Sequence, residues 1–551
     1  MHNQRDHFSI HKRAYLQSAI TSLFKDTFSY LEDLDDKLLS IFSLVLGSLE
    51  KSTDPNEVAR LIRNLVEIGR RDADSLGMFY LGEGRVDLSR WDDPMLEADP
   101  DFFKGQKKAD AKLYEKYDRG LVEGYICARE VRKKIKMLEA PVYQTDRLRG
   151  MHTYIVGKSG YGKTTVLVNM AVQDLNNDVG FAVVAPDNDV FRDLAPHIPE
   201  HRLKDVIYIN PFDQDNSVSL NPLYLHPGEN IENKARQVTD SLKWVLGFKQ
   251  GVTRMGELFR NCVRSLLEIP GTSIVDVKRL LDRENPHFRN QVIAQLSNKH
   301  LQDFSRIDYL STQYPKGTSE GPINQRLNPL IQDPLMEKVL CSTENVFNMR
   351  EAMDEGKIVF INLSDGLIGK DNASLLGALM IVNFRVAASS RANIKGAHNR
   401  RRFVLYVDEF QEFTSSSEEA IGFILSRARK YGLPLVIAHQ YMKQIPDRVL
   451  NAIQGNCSTY LSFKVSAPDQ KRLRAEGMMV GEQEKQNLEV GEGYCVVGDS
   501  SSFLKTPPPV SGGNKDNIDR ISVYSADTNN AKGSDNDEDD EGNWDDPSKV
   551  F

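Results

Sequence analysis

Thr153-Tyr-Ile-Val-Gly157-Lys158-Ser159-Gly160-Tyr161-Gly162-Lys163-Thr164-Thr165 is the stretch that decides the fold. The apolar run Tyr154 to Val156 reads as a buried strand and the glycines as a tight turn. Apolar positions from Val166 to Val172 then recur at helical spacing. This is Gly-x-x-x-x-Gly-Lys-Thr in its strand-loop-helix setting, the pattern of a phosphate-binding loop. Gly157, Gly160 and Gly162 let the backbone approach phosphate oxygens, and the free N–H groups and dipole of the following helix favour a polyanion. The candidate nucleotide-binding run is therefore Gly157, Lys158, Ser159, Gly160, Tyr161, Gly162, Lys163, Thr164 and Thr165. Lys163 is expected to reach the β and γ phosphates and the Thr164 hydroxyl to hold Mg2+, with ATP as the nucleotide.

Composition sets wide bounds. A chain of 551 residues with 40% hydrophobic and 27% charged side chains suits an ordinary soluble protein of several domains. The net charge of -8 is concentrated in Gly533 to Phe551, which holds eight acids and one lysine, so the rest of the chain is close to neutral. Overall charge therefore neither supports nor excludes a nucleic-acid partner, and local patches decide. The five cysteines form no Cys-x-x-Cys pair, so neither a disulfide framework nor a zinc site is indicated. No signal peptide is expected at the start, and Leu38 to Leu49 is too short to span a bilayer. These readings fit a reducing, cytoplasmic setting with no transmembrane segment.

Outward from the phosphate loop, the pattern changes twice. Before it, Leu31 to Leu49, Val58 to Ile68 and Leu121 to Met137 carry three- and four-residue apolar steps, so residues 1–146 are expected to form a helical N-terminal domain. The basic run Arg132-Lys133-Lys134-Ile135-Lys136 fits either a solvated helix face or a phosphate contact. After it, short β-rich runs alternate with helices, which implies an α/β sheet domain in two parts, 147–230 and 351–506. Five helical patterns between Ala235 and Val339 interrupt that alternation and mark an inserted all-α domain at 231–350. From Pro507 the chain turns rich in Pro, Gly, Ser, Asn and Asp, and 507–551 is expected to be a disordered acidic tail.

Two further strand ends complete the constellation. Phe403 to Val407 is an apolar strand leading into Asp408 and Glu409, and acids at strand carboxyl ends sit where ligands of open α/β folds bind. Asp408 is expected in the Mg2+ shell, with Glu409 polarising the attacking water. Leu435 to Ala438 leads into His439 and Gln440. Gln440 reads either as a hydrogen-bond partner of the γ-phosphate or the water, or as a plain polar strand end. Arg427, Arg429 and Lys430 lie at a helix end closed by Gly432. A cation there either meets the helix terminus or reaches a neighbouring subunit as an arginine finger.

Together, Gly157-Lys-Ser-Gly-Tyr-Gly-Lys-Thr, Val407-Asp-Glu-Phe-Gln, Ala428-Arg-Lys-Tyr-Gly-Leu and Ala438-His-Gln resemble the FtsK/HerA superfamily of ring ATPases. Within it, the chain is most similar to the soluble ATPase part of type IV secretion and conjugative DNA-transfer coupling proteins. The resemblance runs from about Arg147 to Gly498. It implies a RecA-like P-loop NTPase domain, an all-α domain at the ring mouth, a homo-hexamer and DNA in the pore. By position it places the trans-acting finger on Arg429. Two departures stand against it: Ala185-Pro-Asp187-Asn-Asp189 replaces the usual Asp-Pro-His-Gly-Asp, and the usual membrane anchor is not seen.

The expected activity is therefore Mg-ATP-dependent DNA translocation, with Lys163, Thr164, Asp408, Glu409 and Gln440 serving one subunit and Arg429 its neighbour. An ATPase that recruits or moves protein, and a nucleotide-gated scaffold, remain as alternatives. Arg385, Arg391, Lys395, Arg400, Arg401 and Arg402 read either as a DNA-facing loop, contacting phosphates without reading sequence, or as a solvated one. The acidic tail ends in Val550-Phe551 with Trp544 among its acids, which fits either a solubility device or a tip that docks a protein partner.

Overall fold

The computed structural model describes the strand Phe79–Asp87 and, with short breaks, residues 137–521, together with a few positions within 58–66 and Cys127. Along these residues run β1 (Phe79–Asp87), β2 (Met137–Gln144), β3 (His152–Val156), β4 (Gly180–Ala185), β5 (Val206–Ile209) and β6 (Ile358–Asn362). They are followed by β7 (Phe403–Val407), β8 (Leu435–His439), β9 (Cys457–Ser462), β10 (Glu492–Val497) and β11 (Ser500–Lys505). The chain divides into two units, Met1–Val166 with Cys457–Pro509, and Leu167–Asn456 with Val510–Phe551.

The first unit orders its strands β2-β1-β11-β10-β9-β3. β3 runs parallel to β9, and the remaining neighbours are antiparallel. Every residue of β3 is buried, which accounts for an uninterrupted run in place of polar alternation. Its Thr153 is satisfied within the sheet, because Gln144 Nε2 donates to Thr153 Oγ1 at 3.2 Å and to Thr459 Oγ1 at 2.8 Å. At positions 58–66 the helical steps are borne out, with Val58, Ile62 and Val66 buried. Leu31 to Leu49, the basic run at 132–136 and most of Leu121 to Met137 lie outside the described residues.

The sequence predicts a helical domain over residues 1–146, and two strands, β1 and β2, also come from them. The reason lies in Phe-Tyr-Leu-Gly-Glu-Gly-Arg-Val-Asp, whose glycines mask strand alternation. Gly82 sits at a bulge with φ +146, and a Cβ there would fall 2.4 Å from the Lys505 carbonyl oxygen of β11. The glycine that reads as a loop thus admits a neighbouring strand at close range.

The second unit orders its strands β8-β7-β4-β6-β5, all parallel. β4, β6, β7 and β8 are buried throughout. Phe181 of β4 meets Tyr406 of β7 and Phe360 of β6 edge to face, at ring separations of 5.7 and 6.2 Å. The helix Lys370–Ser390 packs against Gln411–Arg427, and Gly377 is the close point, where a Cβ would meet the Phe413 ring at 2.3 Å. By length and composition Lys370–Asn393 could cross a membrane. Burial of Leu376, Leu379, Ile381 and Phe384 in this unit reads it as a core helix.

Between β5 and β6 stand the helices expected of an all-α insertion, from Ile231–Val245 and Thr253–Leu267 to Glu320–Ile331 and Pro334–Cys341. They have their own core, with Leu258, Phe259, Val263, Val277 and Leu327 buried. Local sequence sets their starts. Asp333 accepts from the N–H groups of Leu335 and Met336 just before Pro334, and Ser273 forms a capping box with Asp276.

Residues 507–521 differ from the expected disordered tail. Asn514 N–H donates to Pro196 O at 2.8 Å, and Asn517 Nδ2 donates to Ala195 O and Ile198 O at 3.2 and 3.1 Å. Ile521 is fully buried, and Arg520 pairs with Glu200. Polar composition misleads here because one asparagine donates to backbone carbonyls remote in the chain. The acidic stretch Gly533 to Phe551 lies outside the described residues.

Candidate nucleotide site

The phosphate loop belongs to the first unit. It joins β3 to the helix Lys163–Asn176, whose first turn closes with Val166 N–H donating to Gly162 O at 3.0 Å. Gly160 and Gly162 adopt φ of 78° and 101°, which side chains rarely take. At Gly157 the need is space: a Cβ would lie 2.6 Å from Cβ of Phe463. Other segments of the same unit support the loop, with Lys158 N–H donating to Lys464 O at 2.8 Å and Gly491 N–H to Tyr161 O at 3.2 Å. The Lys464 ammonium lies 5.2 Å from the Tyr161 ring centroid. Ser159 and Gly160 are exposed, Thr164 and Thr165 are half-buried, and Lys163 is buried. An open turn of left-handed glycines at a helix N-terminus, with a lysine in the first turn, fits a polyphosphate.

The acidic strand ends belong to the second unit. Because β4, β7 and β8 are parallel and in register through Val184, Val407 and Ile437, their carboxyl ends reach one edge together. Asp408 follows β7, is buried, and donates its N–H to Val184 O at 3.0 Å. Its Oδ1 accepts from the Glu409 N–H at 2.9 Å. Glu409 has φ 42°, a left-handed backbone uncommon outside glycine. Its carboxylate is held on both sides, with Oε1 accepting from Gln440 Nε2 at 2.8 Å and Oε2 from Gln411 Nε2 at 2.7 Å.

Asp187, at the end of β4, adds a further acid. Burial raises its pKa above the ordinary aspartate value, and the charges of Asp189, Glu409 and Asp365 add to the rise against the opposing Asp189 N–H. The sequence reading noted this position only as a departure from a family pattern. The strand-end logic applied to Asp408 would have found it, since β4 pairs with β7. Gln411 closes the motif Val407-Asp-Glu-Phe-Gln, but a glutamine opening a helix is ordinary and the sequence assigns it no role. Among the described residues no group of three or more His, Cys, Asp or Glu side chains is arranged to hold a metal ion.

Arg429 is exposed in the turn Ala428–Tyr431, which Gly432 closes at φ 75°. The loop cations have other duties. Arg391 is fully buried, where it pairs with Asp354 at 2.8 Å and donates to Tyr431 O and Arg401 O at 2.9 and 2.7 Å. Arg400 donates to Arg391 O and Ile394 O, and Arg401 to Glu355 O and Asp178 O. Three of the six cations read as DNA-facing or solvated therefore fasten backbone carbonyls.

No protein-family model matches the chain, and no curated protein matches it by sequence. Among solved structures it is similar to the trigonal form of the bacterial conjugative coupling protein TrwBdeltaN70 in complex with sulphate. The TM-score is 0.50 at 15% identity over 68% of this chain and 89% of that one. It is also similar to plasmid coupling protein TrwB in complex with ADP and Mg2+, with a TM-score of 0.48 at 15% identity over 68% and 89%. VirB4 of Thermoanaerobacter pseudethanolicus gives 0.41 at 14% identity over 65% and 89%. The first of these likenesses shows a shared α/β fold.

Proposed function

We propose that this chain is a Mg-ATP hydrolase of the coupling-protein type, which uses turnover to translocate DNA through a ring. The observation that carries the ATPase reading is Glu409, a carboxylate in a left-handed backbone, oriented by two amides beside Asp408. Structural acids rarely need such a conformation, whereas strained positions cluster at reacting centres. The glycine turn and Lys163 supply the polyphosphate half of that reading. In this proposal Lys163 and the loop N–H groups bind and orient the phosphates, and Thr164 and Asp408 hold Mg2+. Glu409 takes the proton of the attacking water. When bound, ATP would supply the phosphoryl group and Mg2+ would neutralise the charge developing on it. One or two protein ligands suffice for Mg2+, which shares its shell with phosphate and water.

Translocation, DNA and a homo-hexamer are supported by the family resemblance of the motifs and by the exposed place of Arg429. The test is the ATPase rate of the full chain alone, with single-stranded DNA and with double-stranded DNA. Stimulation by DNA supports the motor. Slow hydrolysis indifferent to DNA supports a protein-moving ATPase or a nucleotide-gated scaffold instead.

A further inference from the structure

We infer that Gln411 is a positioning residue that fixes the Glu409 carboxylate for activation of water, an inference that rests on the ATPase reading above. Gln411 Nε2 lies 2.7 Å from Glu409 Oε2, and Gln440 Nε2 lies 2.8 Å from Oε1. An ionised carboxylate only accepts, so in both contacts the amide nitrogen must face it, which fixes the orientation of each side chain. One amide on each oxygen removes the free rotation that a strand-end glutamate would otherwise have.

The two amides have different origins. Gln411 is the first residue of the helix Gln411–Arg427, two positions from Glu409, and Glu412 N–H closes the same turn onto Glu409 O at 2.9 Å. It travels with the residue it holds. Gln440 reaches over from the end of β8. Release of Gln440 leaves Oε1 open to accept the proton of the attacking water while Gln411 keeps Oε2 in place. A base needs one open lone pair and a fixed direction, and this division provides both.

A packing role explains Gln411 poorly. Its own Oε1 is buried with no hydrogen-bond partner. Buried acceptors are usually paired, and a side chain present only for stability would avoid this cost. The loss is accounted for if the Nε2 contact is what the position requires.

The test uses the full chain with Gln411→Ala and with Gln411→Met, which keeps the side-chain volume and loses the donor. Both are expected to lower kcat roughly 10-fold or more with KM and ATP affinity unchanged. Adding Gln411→Ala to Glu409→Gln should bring no further loss of turnover. A readout free of nucleotide is the melting temperature of the apo chain, where the shifts from Gln411→Ala and Glu409→Ala should fail to add in the double variant. Wild-type kcat in both Gln411 variants, or additive effects in both cycles, overturns the inference and leaves the ATPase reading standing. Absence of ATP turnover in the unaltered chain overturns both.

Discussion

Gln440 Nε2 donates to Glu409 Oε1 at 2.8 Å, linking the end of β8 to the end of β7 through the carboxylate itself. The sequence reading offered Gln440 a phosphate, a water or no partner, and the partner is a neighbouring acid. Distinct defects follow for the two halves of the site. Lys163→Ala should lose ATP binding, whereas Glu409→Gln should bind ATP and turn over roughly 100-fold more slowly or worse. Nucleotide titration beside single-turnover hydrolysis separates them. Equal ATP affinity in the unaltered and Lys163→Ala chains would remove the phosphate-loop reading.

Asp187 gives the acidic edge a pH signature. Its pKa in the fold is raised by burial and by Asp189, Glu409 and Asp365. The folded state therefore binds more protons than the unfolded one between the ordinary aspartate value and the raised one, and stability falls as pH rises through that window. Asp187→Asn removes the penalty. The expected result is a higher melting temperature than wild type at pH 7 and none of that gain at pH 3. An equal difference at both pH values would contradict the assignment.

What the sequence carried was the set of features written in contiguous residues. β3 with its glycine turn, β7 ending in Asp408, and the helices of the insertion each announce themselves through local pattern. Hidden features arise from contacts between residues far apart in the chain. β1 was masked because Gly82 serves the backbone of β11, remote in sequence, and the docked segment Asn514–Ile521 is explained only by carbonyls at 195–198. Arg391 looked like a surface cation because its partners come from three separate stretches. At the site, Asp408, Glu409 and Gln440 were legible as types, and the contacts that join Glu409 to Gln440 and Gln411 were not.

Arg391→Ala is expected to be severe for that reason. Burial lowers the pKa of this guanidinium while Asp354 opposes the shift. Its removal leaves Asp354 with Arg350 as its remaining partner and takes a donor from the carbonyls of Tyr431 and Arg401. Loss of a buried charged donor costs on the order of 1–3 kcal/mol. Denaturant unfolding should show the loss as a lower midpoint with an unchanged slope. A stability within error of wild type would mean that water replaces the guanidinium at this position.

Arg429 offers a test of assembly. Exposed in its turn, it is proposed to act on the nucleotide of the adjacent subunit. Arg429→Ala and Glu409→Gln chains should each be inactive alone. Mixed, they should regain part of the activity at interfaces where an intact Arg429 meets an intact Glu409. A role within one subunit predicts no recovery. Light scattering with ATP and DNA present supplies the second check, since a strictly monomeric chain has no interface to complement.

The acidic end gives a prediction that turns on salt. Gly533 to Phe551 carries eight acids and one lysine with Trp544 among them, and finishes in Val550 and Phe551. Upstream, the chain is fastened through Asn517, the Arg520–Glu200 pair and buried Ile521. Under the proposed function, a polyanion on the same chain would compete with DNA for its cations through like charge. Such competition is screened, over a distance of about 8 Å at physiological ionic strength. Removal of Gly533 to Phe551 should therefore tighten DNA binding at low salt and change it much less at high salt. Loss of Phe551 alone leaves the charge intact, so it should weaken only the docking of a protein partner with an apolar pocket. DNA affinity unaffected by tail removal at low salt would reduce the acids to a solubility device.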